Sequence, residues 1–251
     1  MKKPDLEQAI ASSDKRRQIR YLSSRIIAEC KDILDDNRAV CMFLGVVNFM
    51  RRMYEGKGIS IDQAEKLYKD MVKDSLSTAG RIFNLFMDDY LKHFDHVAIE
   101  AICYASTSRY VPDYVSDASF EIYEQTTRWA KEQDRERYFR LRERMVAECG
   151  DLLGDYEAME VVFNIVRFMQ EELFHGRGLK CNKKNRGWKK KFLVWRMKKW
   201  YFYKIQKVIP IAKRVFMFLF NEYHTISRNP RVKEAYVSAT TSLIHVSSGR
   251  K

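Results

Sequence analysis

Apolar residues recur every three to four positions along most of the chain, which is the spacing of an amphipathic α-helix. This pattern predicts one helix over residues 5–34 and a second over residues 38–54. Gly56 and Gly58 follow the second helix, and glycine there is a typical helix stop because it tolerates a left-handed backbone.

Ser60 and Gln63 have the spacing of a capping box, which predicts the start of another helix. The helices predicted after this signal cover residues 61–78, 78–92 and 96–106. Pro112 and Asp113 then mark a break. With only 10 Gly and 4 Pro in 251 residues, the composition also favours helix over sheet. The predicted fold class is therefore all-α.

The helical pattern repeats within the chain. Residues 22–36 align with residues 141–155 without a gap, and eight of the fifteen positions are identical, where about one match is expected by chance. The identical pairs are Leu22/Leu141, Arg25/Arg144, Ala28/Ala147, Glu29/Glu148, Cys30/Cys149, Asp32/Asp151, Leu34/Leu153 and Asp36/Asp155. Shorter matches follow, such as residues 56–59 with 176–179 and residues 79–83 with 212–216.

These matches predict a tandem duplication of a helical unit of about 120 residues, with about five helices in each copy. The predicted domains are residues 1–112 and residues 113–251. The second copy has about thirteen extra residues between its matched blocks, and they fall within residues 173–221.

Residues 173–221 form a basic segment without a single Asp or Glu. The segment holds fifteen Lys and Arg, whereas the rest of the chain has 31 basic and 33 acidic residues. The net charge of +13 therefore comes from this segment alone. Three of the four tryptophans also lie in it, at Trp188, Trp195 and Trp200.

Cations interleaved with aromatic rings suit a phosphate backbone and stacked bases. The sequence therefore predicts a non-enzymatic protein that binds nucleic acid, RNA or another single strand in preference to duplex DNA. The predicted contact residues are Arg177, Lys180, Lys183, Lys184, Arg186, Trp188, Lys189, Lys190, Lys191, Trp195, Arg196, Lys198, Lys199 and Trp200. An acidic protein partner and an anionic membrane surface are the alternative ligands, since both also favour Lys, Arg and Trp.

The aromatic residues allow more than one interpretation. Trp188, Phe192 and Trp195 share a helical face, and such a stripe is more often core than a stacking platform. The run from Trp200 to Tyr203 cannot all face inward from a helix, and a locally extended backbone is a further alternative for it.

Signals for chemistry are weak elsewhere. The chain has no phosphate-binding loop, metalloprotease or hydrolase motif, and no cofactor is expected. Its five cysteines form no C-x-x-C pair and most are expected in the core, while His93 and His96 near Asp89 are expected to be a polar helix end rather than a metal site. Without a signal peptide or an apolar span of about twenty residues, the expected location is cytoplasmic.

Overall fold

The computed structural model describes residues 3–93, 132–174, 186–223 and 230–249. Within these ranges the chain forms seven α-helices, a short 3-10 helix and no strand, which confirms the prediction of an all-α fold. The helices are α1 (Lys3–Glu29), α2 (Asn37–Lys57), α3 (Ile61–His93), α4 (Glu132–Glu148), α5 (Tyr156–Phe174), α6 (Arg186–Tyr223) and α7 (Pro230–Gly249).

The helices are grouped into two compact units. Unit 1 consists of Met1–Lys69 and Phe202–Lys251, and unit 2 consists of Asp70–Tyr201. Both boundaries fall inside helices, so α3 and α6 each contribute residues to both units. The predicted domains, residues 1–112 and 113–251, follow the repeat in the sequence and remain a prediction.

Unit 1 has its core where α1 and α2 pack with α7. Its fully buried side chains include Leu22, Ile26, Phe43, Phe49 and Met50. The buried Ser23 hydroxyl donates a hydrogen bond of 3.0 Å to the carbonyl of Ala235, so this polar group keeps a partner inside the core.

The ends of α1 and α2 follow local chemistry. The helix predicted over residues 5–34 ends earlier, at Glu29, because the chain turns at Cys30 and enters the 3-10 helix Lys31–Ile33. Asp36 caps α2 by accepting hydrogen bonds from the N–H groups of Arg38 and Ala39. At the other end, Gly58 has a φ of +62°, a conformation that glycine adopts without strain.

The capping box at the start of α3 is confirmed. The Ser60 N–H donates to Gln63 Oε1 over 2.8 Å, and the Gln63 N–H donates to Ser60 Oγ over 3.3 Å. The predicted break near residue 78 is wrong, since α3 runs without interruption to His93. The helix predicted over residues 96–106 lies outside the described residues.

The helix α3 continues through Gly80, although glycine weakens helices. Gly80 is buried in unit 2, and a Cβ atom at this position would collide with the flexible end of Lys198. Glycine costs about 1 kcal/mol in a helix interior relative to alanine. The end of the Lys198 side chain occupies the space that a Cβ atom would need.

Unit 2 is built from α4 and α5 with the parts of α3 and α6 that belong to it. Its buried apolar side chains include Ile82, Phe83, Met145, Val162, Ile165 and Met197. Phe168 and Tyr201 pack edge to face with their ring centroids 5.2 Å apart, which is a favourable aromatic geometry.

Two cysteines lie in the cores, as predicted. Burial is the main reason why the pKa of the Cys30 thiol rises to about 12 and that of Cys149 to about 11. Both are therefore uncharged and poorly nucleophilic at neutral pH. Cys41 is instead exposed on α2, while Cys103 and Cys181 lie outside the described residues.

We expect Asp36→Asn to lower the free energy of unfolding by about 1 kcal/mol at pH 7. Asparagine keeps the cap of α2 but removes the ion pair with the half-buried Lys204. Burial opposes the charge of Asp36, yet its hydrogen bonds and the Lys204 charge more than offset this and hold its pKa below the ordinary value.

Because the folded-state pKa of Asp36 is the lower one, its charge stabilises the protein above the unfolded-state value of about 3.9. This contribution disappears as the pH falls through the folded-state pKa. The difference in unfolding free energy between the native protein and Asp36→Asn must therefore shrink below about pH 4. Urea unfolding followed by circular dichroism measures this difference. Asp155→Asn, which changes the cap of α5 alone, is the control, with an expected effect within about 0.5 kcal/mol.

Candidate nucleic-acid interface

The part of α6 in unit 2 has one buried and one exposed side. Leu193, Val194, Met197 and Tyr201 are buried at helical spacing and hold the helix against the core of unit 2. The opposite side is exposed and is called the α6 face below. It consists of Lys191, Phe192, Trp195, Arg196, Lys199 and Trp200.

The aromatic residues of the α6 face are large and well exposed. Phe192 is 49% exposed, Trp195 is 55% exposed and Trp200 is 45% exposed. The interpretation of Phe192 and Trp195 as core residues is therefore wrong. Their ring centroids are 5.8 Å apart and the rings are tilted by 31°, so the two rings touch on the surface. Three large exposed rings within nine residues are typical of a binding surface rather than of a solvated helix.

A cation lies directly on this aromatic cluster. The ammonium nitrogen of Lys199 is 5.2 Å from the centroid of the Trp195 ring, within the range of a cation–π interaction. At an exposed site such a contact contributes about 0.5–1 kcal/mol. It places a positive charge and a stacking surface at the same point of the α6 face.

The lysines predicted as contact residues differ in their surroundings. Lys190 is half-buried and forms an ion pair of 2.5 Å with Asp88, and Lys198 is half-buried beside Gly80. By contrast, within the described ranges no acidic side chain pairs with Lys191, Arg196 or Lys199. The α6 face thus carries three cations that have no acidic partner among the residues that the structure describes.

Three cations further along the basic segment have acidic partners in unit 1. Lys204 pairs with Asp36, Lys213 with Asp62 and Glu65, and Arg214 with Glu29 and Asp32. Hydrogen bonds to the two carboxylates, Asp62 first, raise the pKa of Lys213 above its ordinary value. These three cations therefore serve the packing of unit 1.

The aromatic run is entirely helical, so the extended alternative is wrong. Tyr201 is buried while Trp200 and Tyr203 are exposed, in agreement with the expectation that the run cannot all face inward. Tyr203 lies in unit 1, where the Lys207 ammonium is 4.5 Å from its ring centroid. Tyr203 and Lys207 were not among the predicted contact residues, although their spacing of four residues on a helix is the available signal.

Several predicted contact residues have no described side chain. Arg177, Lys180, Lys183 and Lys184 lie outside the described residues. Arg186, Trp188 and Lys189 are in the first turn of α6, but their side chains are also outside the description. The α6 face therefore contains five of the fourteen predicted contact residues, joined by Phe192.

The described residues contain no cluster of three or more His, Cys, Asp or Glu side chains suited to a metal ion. No helix in the same ranges is both long and apolar enough to cross a membrane.

Comparison of the chain with protein-family models, with curated proteins and with solved structures finds no match. A functional assignment therefore rests on the geometry and the charges of the α6 face.

We expect Lys190→Gln to lower the free energy of unfolding by about 1 kcal/mol, because it leaves Asp88 without its half-buried partner. Lys191→Gln, on the exposed side of the same turn, should change it by less than about 0.5 kcal/mol. Urea unfolding of the two variants makes the comparison. Equal losses would show that the two lysines do not differ in role.

Proposed function

We propose that this protein binds nucleic acid through the α6 face, with RNA or another single strand preferred over duplex DNA, and that it does so without catalysing a reaction. The observation that carries the proposal is the combination of three exposed rings with three cations that lack acidic partners in the described residues. Either feature alone is common on protein surfaces. Together they match the base and the phosphate of a nucleotide.

The cations suit the phosphates. Lys191, Arg196 and Lys199 occupy two turns of helix, so Lys191 and Lys199 are separated by about 12 Å along its axis. This separation is close to the Debye length of about 10 Å at 0.1 M salt, and Arg196 lies between the two lysines along the helix, so the three cations attract a polyanion to the same stretch of α6. Release of counterions from the strand then supplies the salt-dependent part of the affinity.

The rings suit unpaired bases. Any base has a π-face, and stacking on an exposed aromatic side chain contributes about 1–3 kcal/mol per base. Trp195 is the central ring, with Phe192 against it and Lys199 over it. A base on Trp195 brings its phosphate close to the Lys199 ammonium. In a duplex the bases are already stacked on one another, which is why a single strand fits better.

An anionic membrane and an acidic protein would attract the cations of the α6 face in the same way as a phosphate backbone. The apolar side of α6 is directed into the core of unit 2, which leaves a mixed cationic and aromatic surface outside. A helix that lies in a membrane interface needs a continuous apolar face on its outer side. This difference favours nucleic acid over lipid.

We also propose that the chain is a tandem duplication, with residues 1–112 and 113–251 as the two copies. Contacts at equivalent positions support it, since Asp36 and Asp155 each cap the following helix through the N–H of an alanine three residues later. The basic aromatic surface then belongs to the second copy alone.

Changing Lys191, Arg196 and Lys199 to Gln together should weaken the binding of single-stranded RNA and flatten its salt dependence. Each phosphate contact contributes about 0.7 to the slope of log K against log salt for a single strand, so the slope should fall by about 2. Fluorescence anisotropy of labelled RNA, single-stranded DNA and duplex DNA across a salt series measures this and ranks the ligands.

The matched control removes three exposed lysines elsewhere, Lys57, Lys66 and Lys73, and so lowers the net charge by the same amount. An equal loss of slope in the control means that the attraction is general and not located on the α6 face. If the native protein binds none of the three nucleic acids at low salt, the proposal fails. Pelleting with anionic vesicles in that case would favour a membrane ligand.

Trp195→Ala should lower the affinity for single-stranded RNA by about 1–3 kcal/mol, or roughly 5- to 150-fold, with little change in the salt slope. Trp195→Phe should retain most of the affinity because it keeps a stacking ring. Tyr21→Ala is the control, since Tyr21 is an aromatic residue of unit 1 with the same exposure of 55%. Equal affinities of the Ala variant and the native protein would contradict stacking on this ring.

A further inference from the structure

An arginine contacts a pair of acids in both units, and the partners come from different parts of the chain. In unit 2, Arg81 lies 3.5 Å from both Glu148 and Asp151. In unit 1, Arg214 lies 3.8 Å from Glu29 and 3.2 Å from Asp32. In the repeat, Arg81 corresponds to Arg214, and Glu29 and Asp32 correspond to Glu148 and Asp151. Each arginine therefore reaches the acids of the other copy.

Two further contacts recur at matching positions. Phe49 and Tyr68 pack edge to face at 4.9 Å in unit 1, and their counterparts Phe168 and Tyr201 do so at 5.2 Å in unit 2. The thiols of Cys30 and Cys149 are both buried, and burial is the main reason why the pKa of each is raised. In each case the arginine of the other copy is a neighbour that acts in the opposite direction and lowers the pKa. The unit boundaries also correspond, since unit 1 breaks after Lys69 and resumes at its counterpart, Phe202.

We infer that the two copies exchange halves. Unit 1 joins the first half of the first copy to the second half of the second copy, and unit 2 joins the two complementary halves. This inference rests on the proposed duplication and deepens the proposed binding site. The α6 face is carried by the second copy, but it is held in place by the first copy.

The contacts around the α6 face illustrate this dependence. Lys190, next to Lys191 of the face, pairs with Asp88 of the first copy. Lys198, next to Lys199, lies against Gly80, which is also from the first copy. These contacts lie near the two ends of the face along α6, so the first copy fixes the part of α6 that carries the rings.

At the equivalent positions of unit 1, charged side chains pair with one another. Asp62, Glu65 and Lys213 of unit 1 correspond to Trp195, Lys198 and Gly80 of unit 2. In unit 1 these residues form an ion cluster, with Lys213 bonded to Asp62 and lying 3.0 Å from Glu65. Unit 2 has a tryptophan, a lysine and a glycine there and so carries a positive charge without an acid. Among the described residues, the α6 face of unit 2 therefore has no cationic aromatic counterpart at the equivalent positions of unit 1.

Zero-length carbodiimide coupling of the full-length chain tests the exchange, because it joins carboxylates to amines that are in contact. The pairs Lys190–Asp88, Lys204–Asp36, Lys213–Glu65 and Lys15–Glu234 all connect residues 1–112 with residues 113–251. We expect mass spectrometry to find these four links in monomeric protein. Lys69–Glu65, four residues apart on α3, is the internal positive control because it forms with or without exchange.

A mixture of 15N-labelled and unlabelled protein separates links within a chain from links between chains. The inference is overturned if the Lys69–Glu65 link forms while the four links between copies are absent or occur only between chains. Lys213→Gln should remove its own link and leave the other three. No nucleic acid is present, so this result is independent of the binding proposal.

Titration with a short single-stranded RNA tests the assignment of the binding face to unit 2 alone. Saturation is expected at one oligonucleotide per chain. Two equal sites per chain would overturn the assignment to unit 2 alone. Absence of binding would instead count against the proposed function and would leave the cross-linking result unchanged.

Discussion

The burial of one side of α6 against the core of unit 2 sets the orientation of the residues on its other side. Leu193, Val194, Met197 and Tyr201 are almost completely removed from water, and burial of such side chains contributes about 1.5–3 kcal/mol each. Rotating the helix by even a third of a turn would expose them. The apolar contacts therefore hold Phe192, Trp195 and their neighbouring cations on the outside, where they do not contribute to the core.

The cations of the basic segment also fall into two groups, those paired with carboxylates and those exposed on the α6 face. Lys190, Lys204, Lys213 and Arg214 meet carboxylates from elsewhere in the chain, so their positive charge is balanced within the fold. The charge of the α6 face is not balanced within the described residues, and self-repulsion there opposes folding slightly. An anionic ligand removes this repulsion, which links the electrostatics of the segment to its proposed role.

Local sequence signals were enough to predict the all-α fold class, the stop at Gly58 and the capping box at Ser60, because these signals depend on neighbours in the sequence. The continuity of α3 past residue 78 was not predicted, because the sequence pattern near Thr78 and Gly80 does not distinguish one long helix from two shorter ones. Similarly, charge clustering located the basic segment but did not separate Lys190 from Lys191. Periodicity also assigned Phe192 and Trp195 to the core, because it does not tell which side of a helix meets the rest of the protein.

The contacts of Trp195 also bear on the entropy of the proposed binding. Its ring is already restrained by Phe192 on the surface and by the ammonium of Lys199 above it. A side chain that is immobilised only on binding loses about 0.5–1.5 kcal/mol of rotamer freedom, and this loss weakens the complex. Phe192 and Lys199 limit the rotamer freedom of the Trp195 side chain before any ligand arrives. Part of the loss of rotamer freedom therefore already occurs during folding. The α6 face is in this sense preorganised, and a helix supports such order better than a flexible loop with the same residues.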